Sequence, residues 1–171
     1  MQLQVGDAVL YGLEGVCAVA EIRKMKIGGK IGLYYVLQPI FRENATIYVP
    51  TTNAELLARM RPVLTKEEIE ALLSISTQEE LDWIDDPAAR KAEFARILTS
   101  GDRSTMVRMI RMLYLHRRQL QDAGRHLRTG DDQVLRDAEK IVNDEFALVL
   151  GIAQKDVPAY IRARIAQGEE T

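Results

Sequence analysis

The sequence predicts an α+β chain of two domains. A small SH3- or Tudor-like β-barrel over residues 1–64 is followed by a compact all-α bundle over residues 65–171. Three observations carry this. Up to residue 64, short β-branched and aromatic runs alternate with glycine turns. From residue 65 onward, apolar residues recur at the helical period between capping residues and helix-stopping glycines. The change from one pattern to the other falls sharply at residues 63–65.

In order, "DAVLYG" and "GVCAVAEI" read as two strands joined through "GLEG", whose glycines can take positive φ in a tight turn. Gly28 and Gly29 predict a second turn, leading into a strand over residues 33–38. "ATIYVP" alternates Ile47 and Val49 with Thr46 and Tyr48, a half-buried strand ended by Pro50. Four or five such strands in so short a segment favour a barrel over a sandwich. "TTNAELLARMRPVL" then predicts a short helical turn capped by Asn53 and interrupted by Pro62.

The helical half opens on "TKEE", a capping box in which Glu68 reaches back to the Thr65 N–H. "TQEE" predicts a second box, Thr77 with Glu80. Asp86 caps the next helix, with Pro87 at its first position and Gly101 as its stop. A long helix follows, with Met106, Ile110, Leu113, Tyr114 and Leu120 along one stripe and Gly124 as terminator. In the next helix the stripe runs through Val134, Leu135, Ala138, Ile141, Val142, Glu145, Phe146, Val149 and Leu150, up to Gly151. A last helix around "VPAYIRARIAQ" completes the bundle.

Composition narrows the function. No apolar run approaches the ~20 residues of a membrane span, and "MQLQVGD" has no signal-peptide features, so a cytoplasmic chain without a membrane partner is expected. The single cysteine, Cys17, has no internal disulfide partner and reads as a small core residue. No phosphate-cradling glycine motif occurs, and His116 and His126, ten residues apart with no cysteine near, do not make a metal site. Solvated histidines on a basic helix account for both. Helix capping accounts for the acid pairs Asp85-Asp86 and Asp131-Asp132. An enzyme is not expected, nor a cofactor or small-molecule substrate.

Recognition remains. Net charge is +2 over residues 1–64, −5 over 65–100, +5 over 101–130 and −4 over 131–171. The basic block is rich in arginine (Arg103, Arg108, Arg111, Arg117, Arg118, Arg125 and Arg128), whose fork matches phosphate oxygens. The alternative is that the blocks neutralise one another within the fold. Arg23, Lys24 and Lys26, around Met25, cluster at the end of a strand, either to receive a partner strand or to guard an exposed edge. The one tryptophan, Trp83, is either a plug for the bundle or a wedge for distorted duplex.

"VGDAVLYGLEGVCAVAEI", followed by "IGG", "YYVLQP", "IYVPTTNAE" and "RPVLTKEEIEALL", resembles the opening module of the CarD-like family of bacterial transcription regulators. The module is also similar to the polymerase-interacting segment of transcription-repair coupling factors. "DWIDDPAARKAEFARILTSGDRSTMVRMIRMLYLHRR" and "LRDAEKIVNDEFALVLGI" resemble that family's helical domain. The resemblance implies a barrel that docks on the β subunit of bacterial RNA polymerase. It implies a helical domain that contacts promoter DNA, weakly and largely without sequence preference, and a tryptophan, matched by Trp83, that wedges at the upstream edge of the melted bubble. Such a protein stabilises the open promoter complex and needs no active site.

With Trp83 matched by the resemblance and the cations taken from the residues that follow it and from the basic block, the expected DNA-facing set is Trp83, Arg90, Lys91, Arg103, Arg108, Arg111, Arg118, Arg125 and Arg128. The polymerase-facing set is Arg23, Lys24, Met25, Lys26 and Tyr48, with Met25 and Tyr48 where family members carry basic residues. After Trp83 the family has basic residues, whereas here Ile84, Asp85 and Asp86 follow. That acidic run supports a second expectation: a polymerase adaptor whose helical domain binds a protein instead of DNA. A barrel that associates with RNA is the third.

Overall fold

The computed structural model describes residues 2–75 and 79–169. The chain divides into two compact units, Met1–Val63 and Leu64–Thr171. Among the described residues no helix is long and apolar enough to cross a membrane.

The first unit is a five-stranded antiparallel sheet: β1 (Ala8–Tyr11), β2 (Val16–Ile27), β3 (Lys30–Pro39), β4 (Ile47–Pro50) and β5 (Met60–Pro62), in the order β4-β3-β2-β1-β5. Gly28 and Gly29, both at positive φ, close β2 directly onto β3 with Ile27 opposite Lys30. A turn this tight starts β3 ahead of the expected residues 33–38, and pairing of Pro39 with Cys17 carries it one residue past them. Asn53 caps α1 (Ala54–Leu57), accepting the Leu56 N–H at 3.0 Å.

Pro62 does not interrupt that helix, which has already ended; it lies in β5, opposite Val9. An end strand tolerates proline because its N–H has no ladder partner to lose. Leu3, Val9, Cys17, Val19, Tyr35, Leu37, Val49 and Met60 form the core. Burial there, with a smaller contribution from Glu14, pushes the Cys17 thiol up to about 12, so it stays protonated and packs as an apolar side chain.

The second unit contains α2 (Lys66–Ile75), α3 (Pro87–Ser100), α4 (Arg103–Asp122), α5 (Thr129–Leu150) and α6 (Val157–Glu169). The first capping box forms as expected: the Thr65 N–H donates to Glu68 at 2.8 Å and the Glu68 N–H donates back to the Thr65 hydroxyl at 3.1 Å. Thr77, the cap of the second box, lies outside the described residues, and residues 79–85 are not helical. Asp86 caps α3 through the Ala89 N–H at 2.8 Å, with Pro87 opening the helix and Gly101 ending it at φ 71°.

In α4 the buried stripe is Met106, Val107, Met109 and Leu113, while Tyr114, expected on it, is exposed. Adjacent positions on a helix lie about 100° apart, so a stripe centred on Leu113 turns Tyr114 outward. α5 is the central helix, packed against α2, α3, α4 and α6. Its buried face takes Leu135, Ala138, Ile141, Val142 and Phe146 as the periodicity requires, and also Glu145, which is fully buried.

Glu145 is accommodated by Arg103 at the start of α4. The guanidinium donates through Nε to both carboxylate oxygens (3.2 and 3.0 Å) and through Nη2 at 2.9 Å. The Leu64 N–H donates to the same carboxylate at 2.9 Å, and Arg103 Nη1 donates to the Gly101 carbonyl at 2.6 Å. A buried charge costs several kcal/mol unless paired and fully hydrogen-bonded. Here it is, and the pair ties the entry to α2, the end of α3 and the start of α4 onto α5.

Candidate functional site

In the helical unit the site forms around Trp83, in the non-helical stretch before α3. The His116 imidazole of α4 stacks on the indole at 3.7 Å between ring centroids and 17° between planes. Phe94 of α3 meets it edge-on at 6.3 Å, and the Arg90 guanidinium stands 4.6 Å from the ring centroid. Arg90, in the first turn of α3, also holds the backbone around Trp83. Its Nη1 donates to the carbonyls of Ile84 (2.9 Å) and Asp85 (3.2 Å), while Nε and Nη2 grip the two Asp131 oxygens, each at 3.0 Å. Trp83 is therefore half-buried on a fixed platform of imidazole, guanidinium and phenyl groups.

A concavity of about 200 Å³ opens beside it, walled by Trp83 and His116 and rimmed by Arg125, His126 and Arg128 from the α4–α5 connection. Those three side chains are exposed. On the other side of the Trp83–His116 pair a second depression, about 140 Å³, is lined by Arg108 and Arg111 together with Glu79 and Glu80. Arg108 pairs with Glu79 at 2.8 Å and Arg111 approaches Glu80 at 3.7 Å.

The structure thus sorts the expected DNA-facing residues. Arg90 and Arg103 are corrections: both are buried and committed to the carboxylates of Asp131 and Glu145, so neither presents a fork to phosphate. Arg108 and Arg111 are near Trp83 but in ion pairs with the acids that precede it. Arg125 and Arg128 share the Trp83 concavity. Lys91 and Arg118 are exposed, neither of them lining it.

His116 is a further correction, a stacking partner of Trp83 in place of a solvated residue. Nothing local in the sequence joins residues 83 and 116. Glu145 did carry a signal, since a carboxylate on an apolar helical stripe requires a buried cation.

The stack has a pH signature. Lost hydration first, then the Arg90 guanidinium, hold His116 below the ordinary imidazole value of 6.5, with Arg125 acting the same way and Asp131 and Asp85 opposing. The unfolded chain therefore binds this proton more readily than the folded one. Stability drops as pH falls through 6.5 towards the lower folded value, and is retained above it. Between about pH 7.5 and about pH 5.5 the denaturant midpoint of the helical unit, read by Trp83 fluorescence, is expected to fall, and His116→Gln to flatten that dependence. An identical pH slope in the variant would assign it to other groups.

On the sheet unit, Arg23, Lys24, Met25 and Lys26 occupy the far half of β2. β1 pairs with β2 only at Val16, Cys17 and Ala18, so among the described residues 21–27 of β2 have a strand partner on the β3 side alone. The register places Glu21, Val36 and Tyr48 in one row across the sheet and Arg23 and Tyr34 two rows further on. Alternation then puts Arg23, Met25 and Tyr48 on one face, and Lys24 and Lys26 on the other. Tyr48 and the three cations are exposed, while Met25 is half-buried with its sulfur 3.8 Å from Arg23 Nη2.

Residues 3–64 match the family model of the CarD-like/TRCF RID domain. This first part of the chain is similar to a CarD-like/TRCF RID domain. No curated protein matches the chain. The RID domain coincides with the sheet unit to within a residue at its C-terminal end. The β2 edge with Arg23, Lys24 and Lys26, which has no strand partner on the β1 side among the described residues, lies within the match, whereas Trp83 and its platform lie beyond it.

Proposed function

We propose that this protein is a non-catalytic, cytoplasmic transcription regulator that docks on the β subunit of RNA polymerase through its RID domain. Its helical unit then stabilises the open promoter complex, with Trp83 as a wedge at the upstream bubble edge. The observation that carries this reading is the RID match over residues 3–64. The basic side of β2, unpaired among the described residues, supports docking, since such an edge can add a partner strand. We read the sheet, bulged between Val19 and Glu21, as the curled Tudor-like body expected from the sequence.

For the DNA contact, support comes from the half-buried indole at the rim of a concavity that also presents Arg125, His126 and Arg128. Phosphate contact beside the wedge would come from this connection, because the residues that follow Trp83 are acidic. Four exposed cations (Lys91, Arg118, Arg125 and Arg128) on a chain of net charge −2 give weak autonomous affinity. Tethering to polymerase compensates by raising the effective concentration. Contacts made only with opened DNA shift the closed-to-open equilibrium, and ~1–3 kcal/mol of coupling changes it roughly 5- to 150-fold.

The test is the lifetime of open complexes formed by cognate polymerase with the full chain, Trp83→Ala or Arg23→Glu. We expect the wild-type chain to lengthen it. Trp83→Ala should bind polymerase and lose the effect, whereas Arg23→Glu should lose both. A folded Trp83→Ala chain that lengthens the lifetime fully would remove the wedge. The adaptor reading, in which the helical unit binds a protein, is favoured by one observation: Glu79 and Glu80 already occupy Arg108 and Arg111. Salt-dependent promoter contact by the helical unit would count against it.

A further inference from the structure

α4 and α6 both pack on α5 and leave between them a groove of about 530 Å³. Its floor is Val107 and Val142, and its walls are Ile110 and Leu115 of α4 and Ile161 and Ile165 of α6. On α4 the lining residues recur at 107, 110–111 and 114–115, and on α6 at 158, 161–162 and 165. The sets span nine and eight residues, roughly 10–12 Å of helix at 1.5 Å per residue. The groove is thus an apolar trough two turns long with helical walls, the shape a further helix fills in a bundle. Leu115 is 44% exposed at its edge, a large aliphatic group facing solvent.

The charges select the occupant. Arg111 stands on the α4 lip, where it also approaches Glu80, and Arg162 on the α6 lip. Arg117, over the Tyr114 ring at 4.6 Å, adds a third cation beside the α4 lip. The one carboxylate in the lining, Glu139 of α5, accepts the Tyr114 hydroxyl, and its desolvation raises its pKa, which weakens its claim on an incoming cation. An apolar trough with arginine lips complements a helix whose apolar stripe is flanked by acids.

We propose that the α4–α5–α6 groove receives one amphipathic helix of a partner protein, its apolar stripe seated between Ile110 and Ile161 and its flanking carboxylates on Arg162 and, in place of Glu80, on Arg111. This gives the protein contact of the adaptor reading a place and a chemistry, and it holds whether or not Trp83 touches DNA.

The probe is a pair of synthetic 18-residue helical peptides with the same leucine stripe, one flanked by glutamates and one by lysines. Each is titrated into the full chain carrying ¹³C-labelled isoleucine methyls. The expected result is that the glutamate peptide shifts the methyls of Ile110, Ile161 and Ile165, leaves Ile22 and Ile47 of the sheet unit unmoved, and binds about tenfold tighter than the lysine peptide. Arg162→Glu, an exposed substitution, should narrow that preference to near equality, and Leu115→Glu should abolish binding with the helical CD spectrum intact. Four results overturn the proposal: equal affinity for the two peptides, no shift at the three methyls, binding that survives Leu115→Glu, or occupation of the groove by a second copy of the chain, seen as sedimentation of a dimer that Leu115→Glu dissociates.

Discussion

Arg103→Ala is expected to destabilise the helical unit by about 3–5 kcal/mol, because it leaves the fully buried Glu145 carboxylate without its cation. That approaches the whole stability of a small domain, commonly 5–15 kcal/mol. The variant should melt roughly 10–20 °C lower, followed by helical CD and by Trp83, the only tryptophan. Exchanging both partners for apolar residues, Arg103→Met with Glu145→Leu, should recover most of the loss, since neither charge then remains to be desolvated. The recovery should fall short by about 1–3 kcal/mol, because the Leu64 N–H loses its acceptor. If Arg103→Ala melts with wild type, water reaches Glu145 and the pair does not fasten α4 to α5.

Arg90→Ala is expected to cost a similar ~3–5 kcal/mol through Asp131, with a second, local consequence at Trp83. The same guanidinium donates to the Ile84 and Asp85 carbonyls and stands against the indole, so its loss frees the stretch that aims Trp83. At a temperature where the variant is still folded, Trp83 emission should shift to the red and become more accessible to acrylamide. Open-complex stabilisation should fall further than the remaining folded fraction explains. Arg90→Lys should restore part of the stability and little of the orientation, because an ammonium cannot bridge Asp131 and two carbonyls with a planar fork. Unchanged quenching in Arg90→Ala would mean that His116 and Phe94 suffice to hold the indole.

What the sequence by itself determined about this protein is what short-range chemistry controls. The Asn53 cap, the Thr65–Glu68 box, Asp86 with Pro87, and the glycine stops at 101, 124 and 151 each join groups within a few residues of one another, so their signals lie in consecutive letters. Alternation in β4 and the helical period in α5 were legible for the same reason, because each reflects one element facing one core. The RID resemblance was legible too, as an ordered run of such letters. β5 was not, because three residues ending in proline become a strand only by pairing with β1, some fifty positions earlier.

The site divides the same way. Composition named an arginine-rich block and a lone tryptophan, yet arginine is the residue chosen both for phosphate outside and for carboxylate inside. Only tertiary structure decided that Arg90 and Arg103 point inward to partners 41 and 42 residues away, that Arg125 and Arg128 remain at the Trp83 rim, and that His116 stacks on the indole. The physical reason is that a long side chain's partner is set by which helices are neighbours, and helix neighbours are chosen by the packing of the whole apolar face rather than by any residue beside them in the chain.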